Sequence, residues 1–180
     1  SKVVRMDYGA DELWTELGRQ SLVRWAEWNA QSGQPLFHHD GFLVLSRQAM
    51  RPGGFEHDSF KLLMAQGEKL QRLDSAAIAR RFPAWAAEQY PDGYLNPTGG
   101  WAESGKTVAW LAGMARAEGV LVVENCAFDR LLECGSRVIG VRAKDGREFR
   151  ADLTLLATGA WTPALLPELG DVMWATGQPV

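Results

Sequence analysis

The sequence is poor in the residues that mark many chemistries. Its 180 residues hold two cysteines and three histidines. Cys126 and Cys134 have no C-x-x-C partner, which leaves metal and redox motifs without support and makes two reduced thiols the simpler state. No apolar run approaches the roughly 20 residues that a membrane-crossing helix requires. No signal-peptide pattern is visible. Positive charge does not cluster: 19 Lys and Arg stand against 22 Asp and Glu, and the net charge of −3 argues against general affinity for nucleic acid. The G-x-G-x-x-G pattern is missing, and the first residue is Ser1. Together these two features lead to the expectation of an internal portion of a larger protein.

What is present reads as an ordinary globular chain, 46% apolar and 23% charged, with eight tryptophans. Val3-Val4 look like the end of a strand. Asp11 is placed to cap a helix, with Leu13, Trp14, Leu17, Trp25 and Trp28 at helical spacing. Ser32-Gly33-Gln34-Pro35 stops it. Phe37 to Leu45 reads as a strand bent at Gly41, and Arg51 to Gly54 as a turn. Helices follow at Ser59–Gln71 and Ser75–Phe82. The loop-rich stretch from Trp85 to Gly100 holds a short strand at Gly93-Tyr94-Leu95. A third major helix runs from Ser104 to Ala117, with Val108, Leu111, Ala112 and Ala115 as its stripe and Gly119 as its stop. Strands are expected at Val120–Val123, Arg137–Ala143 and Arg147–Leu156, the last two joined by Lys144-Asp145-Gly146, a strong hairpin signal. Another strand is expected to begin at Met173 and run to Val180.

Three motifs compete for the chemistry. Gly100-Trp-Ala-Glu-Ser-Gly-Lys-Thr107 matches G-x-x-x-x-G-K-[ST]. A true phosphate loop needs an apolar strand leading into it. Here the lead-in contains Pro97, which cannot donate to a sheet ladder. The plainer alternative is a turn feeding a capped helix. His38-His39-Asp40 could hold a metal, but neighbours on a strand face opposite ways and only one can serve a given site. The third motif is Leu153 to Ala157, an apolar run broken at Thr158-Gly159-Ala160. Gly159 has no Cβ, so its main chain can approach a flat ligand closely. Near the chain start, Lys2 and Arg5 flank Val3-Val4. An arginine binds a carboxylate through two parallel hydrogen bonds. Surface charge is the bland alternative.

Several segments together resemble the D-amino-acid oxidase superfamily of flavoenzymes, in its monomeric sarcosine oxidase and fructosyl amino acid oxidase branch. They are Ser1-Lys-Val-Val-Arg-Met-Asp-Tyr-Gly9, Gly99-Gly-Trp-Ala-Glu-Ser-Gly-Lys106, Leu155-Leu-Ala-Thr-Gly-Ala-Trp-Thr-Pro163 and Ala175-Thr-Gly-Gln-Pro-Val180. The resemblance implies an α/β (mixed α+β) fold: part of a two-domain FAD-binding oxidoreductase, with a Rossmann-like FAD domain carrying a β-meander and part of a mixed-sheet substrate domain. Residues 1–34 and 101–170 would belong to the FAD domain. Residues 35–100 would be an excursion into the substrate domain, and 171–180 the return to it.

The activity implied is oxidation of the CH–NH bond of a secondary-amine amino acid, of fructosyl amino acid, sarcosine or saccharopine type. FAD is the cofactor, and dioxygen yields hydrogen peroxide. The resemblance assigns Lys2 a catalytic position near the flavin ring and Arg5 the substrate carboxylate. It assigns Gly159, Ala160 and Trp161 the turn against the cofactor. Phe128 would meet the adenine through its main chain. No metal is implied. The partners implied are an amino-acid-derived amine and dioxygen, for a monomeric intracellular protein (cytoplasmic or peroxisomal) that engages neither nucleic acid nor a membrane. The glycine-rich phosphate loop and the oxygen-activating lysine have no counterpart in these residues. The chain alone is therefore expected to be inactive and to bind FAD weakly. A P-loop nucleotide-binding protein and a non-catalytic module of flavoprotein shape are the competing readings.

Overall fold

The computed structural model describes residues 2–175. Its residues fall into two compact units, Ser1–Val120 and Leu121–Val180. Helices and antiparallel sheets are mixed, and the described residues form three three-stranded sheets.

In the first unit, β1 (Lys2–Val4) leads to the long helix α1 (Glu12–Ser32). Asp11 caps α1 as expected, its carboxylate accepting from the Trp14 amide at 3.0 Å. Gly33, at φ 66°, ends the helix in the left-handed conformation that glycine adopts without a Cβ penalty. The buried face is not the expected one. Leu13, Trp14 and Leu17 are exposed, whereas Thr15, Gly18 and Leu22 are buried. The reason lies at Gly18, where a Cβ would stand 2.8 Å from the Arg5 carbonyl oxygen and 2.9 Å from Met6 Cα. Helix and main chain touch there, so the contact face needs small residues.

The strand expected from Phe37 to Leu45 divides at Gly41, whose φ is 86°. Its halves, β2 (Phe37–His38) and β3 (Phe42–Ser46), join different sheets. Asn29 fastens the end of α1 to β2, donating to the Phe37 carbonyl and accepting from the Leu36 and Phe37 amides.

Helix α2 (Phe55–Ala65) begins four residues before the expected Ser59 and stops short of Gln71. Residues beyond its Gly67 turn instead form the strand β4 (Gln71–Asp74), in which Leu73 alone is buried. One apolar residue in four carries no legible period. Asp74 then caps α3 (Ser75–Arg81). The short strand expected at Gly93 is the fully buried β5 (Asp92–Asn96), central in the sheet β3-β5-β4. The strand β6 (Gly100–Ala102) lies between β1 and β2. Helix α4 (Ser104–Ala117) has the expected bounds.

In the second unit a meander runs β7 (Phe128–Cys134), β8 (Arg137–Ala143) and β9 (Glu148–Arg150). The Asp145-Gly146 turn joins the last two, with Gly146 at φ 91°. The first strand is not the expected Val120–Val123, which forms no ladder among the described residues. Phe128–Cys134 mixes Asp129, Arg130 and Glu133 with its apolar residues, so its sheet character comes from pairing rather than hydrophobicity. The expected strand Arg147–Leu156 is likewise confined to β9. After one further bond from the Ala151 amide to Ile139, the chain leaves the ladder, and Leu153 and Leu155 are each 85% exposed. Residues 173–175 are not strand, and the rest of the expected terminal strand lies outside the described residues. Among the described residues, no helix is long and apolar enough to cross a membrane.

Candidate functional site

The first unit places the two expected basic residues at β1. Lys2 is exposed and pairs in register with Ala102. Arg5 follows the strand and is partly buried. Its guanidinium lies over three rings, 4.9 Å from the centroid of Tyr8, 5.3 Å from Phe42 and 5.4 Å from Phe55. Such contacts hold a cation by its attraction to the ring faces. One guanidinium nitrogen donates to the main-chain carbonyl of Asp7. No ion pair to Arg5 forms among the described residues.

Beneath Arg5 lies a buried polar cluster that sequence reading missed. The Asp7 side chain is fully buried and accepts from the Tyr94 hydroxyl at 2.7 Å and from Asn96 Nδ2 at 3.0 Å. Burial pushes the Asp7 carboxyl above its ordinary value, and the two donors and nearby Arg5 oppose the shift. Burial and the neighbouring Asp7 charge push the Tyr94 phenol up as well. Ser59 Oγ accepts from the Gly9 amide at 2.7 Å in the same region. A signal existed in sequence: Tyr94 and Asn96 alternate on one strand and so share a face. Their common partner, 87 and 89 residues away, carried no local mark.

In the second unit, Phe128 and Trp161 line one open groove of ≈ 420 Å³, together with Ala127, Lys144, Thr158 and Leu165. The turn that carries Trp161 is the short helical segment Gly159–Trp161. Gly159 has φ 54°, and nothing lies within 4 Å of where a Cβ would stand. Trp161 is 74% exposed. Lys144 donates its amide to the Ala127 carbonyl at 2.9 Å, tying the hairpin to the start of β7. The groove therefore offers aromatic and aliphatic walls, which suit a flat aromatic group, and Gly159 and Ala160 are not among its lining residues.

The phosphate-loop alternative loses its geometry. Gly100 is already a strand residue, paired with Val4 of β1, and a Cβ there would stand 2.0 Å from the His38 carbonyl oxygen. Lys106 Nζ is 2.5 Å from Glu103 Oε2, and Thr107 Oγ1 donates to the Glu103 carbonyl. The residues that would grip phosphate and its metal are engaged in starting α4. The His38-His39 pair separates, with His39 just past the end of β2. His38 stacks on Trp101 at 4.0 Å and contacts Glu103, while His39 contacts the Thr98 carbonyl. Among the described residues, no group of three or more His, Cys, Asp or Glu is arranged to hold a metal.

An amino acid oxidase of Aspergillus flavus is 28% identical over 208 residues, covering 96% of this chain and 43% of the relative. An N-methyl-L-tryptophan oxidase of Citrobacter koseri is 26% identical over 177 residues, covering 94% of this chain and 44% of the relative. The chain thus spans less than half the length of these relatives. Among solved structures, an L-proline dehydrogenase from P. horikoshii superposes with a TM-score of 0.79 at 18% identity, over 99% of this chain and 46% of that one. A thermally stable fructosyl peptide oxidase mutant superposes at 0.75 with 24% identity, over 94% and 41%. These likenesses show a shared fold. The family model described as FAD dependent oxidoreductase matches residues 1–179, and the chain belongs to that family, whose cofactor is FAD.

Proposed function

We propose that the protein carrying this chain is an oxidase of secondary-amine amino acids. It would convert the amine and dioxygen to an imine and hydrogen peroxide. The observation that carries this reading is the guanidinium of Arg5, held among three aromatic rings with no carboxylate partner among the described residues. A cation so held suits an amino-acid carboxylate. The amino acid oxidase relative and the fructosyl peptide oxidase neighbour support the substrate class. Fructosyl amino acids, sarcosine and saccharopine-type amines are the substrates to examine.

When bound, FAD supplies the acceptor for the hydride that leaves the carbon beside nitrogen. The residues of this chain bind and orient. Arg5 fixes the carboxylate and so limits which carbon faces the cofactor. Lys2 places a positive charge near the flavin ring. Phe128 serves the adenine through its main chain, while Gly159, Ala160 and Trp161 give a close-lying turn. In this reading residues 1–34 and 101–170 serve the FAD domain, and 35–100 and 171–180 the substrate domain.

The test is a peroxide assay on the flavin-loaded full-length protein, with sarcosine, fructosyl glycine and saccharopine. Peroxide from one of these supports the reading. A yellow protein that makes peroxide from none of them overturns the substrate class, and a full-length protein that stays colourless after incubation with FAD and removal of the excess overturns the cofactor site.

A further inference from the structure

A fully buried carboxylate needs a reason. Removing such a group from water is costly unless hydrogen bonds compensate, so it persists only where its surroundings hold it firmly. Asp7 is held by two donors from alternate positions of β5, Tyr94 and Asn96. They face the same side of that strand and aim at one point. The main chain of Asp7 is fixed as a consequence, and its carbonyl is the group that receives the Arg5 guanidinium. On the other side, α1 meets the Arg5 carbonyl directly at Gly18. The backbone of Arg5 is thus held by the helix, and its side chain by Asp7 and the three rings.

We propose that Asp7 is a positioning residue for Arg5. Locked onto β5 by Tyr94 and Asn96, it presents its carbonyl so that the guanidinium is oriented before a carboxylate ligand arrives. The proposal rests on reading Arg5 as the group that binds the substrate carboxylate. The Asp7 carboxylate itself makes no direct ion pair with Arg5 among the described residues, so the cation is oriented without being neutralised by contact. Orientation in advance reduces what a ligand must organise on binding.

The experiment uses the flavin-loaded full-length protein, with benzoate as a carboxylate probe and benzamide as its uncharged counterpart, each followed by the change in flavin absorbance. Tyr94→Phe removes one donor and keeps the ring that packs near Phe60. Asp7→Asn keeps the size and removes the charge. Each is expected to weaken benzoate binding about fivefold, the order of one hydrogen bond, and to leave benzamide within about twofold. In an Arg5→Leu background, Tyr94→Phe is expected to change benzoate binding no further, because coupled residues are not additive. Should Asp7→Asn fail to fold, Tyr94→Phe carries the test.

Equal losses for both probes, or a loss that persists in the Arg5→Leu background, would make Asp7 a structural anchor only and overturn the proposal. So would an unchanged benzoate affinity in Tyr94→Phe where Arg5→Leu alone weakens it. If Arg5→Leu alone has no effect, or benzoate leaves the flavin spectrum of the unsubstituted protein unchanged, the carboxylate reading of Arg5 fails first. That failure is visible without any change at Asp7.

Discussion

The Tyr94 hydroxyl donates to the Asp7 carboxylate at 2.7 Å, closing a contact between residues 87 apart in sequence. It joins the exit of β1, where Arg5 lies, to the central strand of a different sheet. No buried side-chain nitrogen or oxygen among the described residues is left without a hydrogen-bond partner. The cluster is therefore fully satisfied, the condition under which a buried polar group specifies a structure rather than weakening it.

If Arg5 binds the substrate carboxylate as proposed, replacing it by Leu in the full-length protein is expected to raise KM for a carboxylate-bearing amine roughly 100-fold, as charge-assisted hydrogen bonds are lost. The effect on kcat should be smaller. Steady-state kinetics on the substrate found by the peroxide assay checks it, and an unchanged KM removes Arg5 from the site.

Trp161→Ala is expected to weaken retention of FAD roughly tenfold, the scale of one lost aromatic stacking partner. Phe128→Ala should stay within about threefold, because its proposed role uses the main chain. Equilibrium dialysis of the full-length protein against FAD measures both. An effect of Phe128→Ala as large as that of Trp161→Ala would move the recognition from the main chain to the ring.

Two helical glycines should respond in opposite directions to alanine. Gly113 in α4 has nothing within 4 Å of where an added methyl would stand, so Gly113→Ala should stabilise by about 1 kcal/mol through helix propensity alone. At Gly18 the same methyl would meet the Arg5 carbonyl oxygen at 2.8 Å, and Gly18→Ala should destabilise by about 1–3 kcal/mol despite the better propensity. Urea unfolding of the two variants distinguishes local preference from tertiary contact.

Asp92 should make stability depend on pH at the acid end. Its buried carboxylate receives Arg72 through two bonds of 3.0 and 2.6 Å and the amides of Met50 and Gly93 at 2.9 Å each. The Arg72 guanidinium first, and then the two amides, hold its pKa below the ordinary aspartate value. A depressed folded value means the stabilisation is present above the unfolded pKa of about 3.9 and is lost as pH falls through the folded one. The stability difference between the unsubstituted protein and Asp92→Asn should therefore be greatest near pH 7 and shrink below about pH 4. A difference that grows on acidification would contradict this assignment.

Local chemistry was legible in the chain itself. Asp11 accepts a main-chain hydrogen bond at a helix start, Gly33 and Gly119 take positive φ at helix ends, and Asp145-Gly146 turns a hairpin. Each needs only neighbours within about four residues, so the sequence carries the whole cause. The apolar runs were less informative. Leu153 and Leu155 read as a buried strand and are exposed, because a strand exists only where another strand lies beside it.

What the amino-acid sequence determined alone was the set of caps and turns and the bounds of α4, together with the segments whose order resembles the flavoenzyme family. Only the tertiary structure decided which face of α1 is buried, that β5 is central, and that Arg5 is caged by Tyr8, Phe42 and Phe55. It also decided that Asp7, Tyr94 and Asn96 meet. The physical reason is range. Caps and turns are settled by bonds between near neighbours, whereas a glycine's closest approach and a buried carboxylate's donors depend on chain segments brought together only when the core closes.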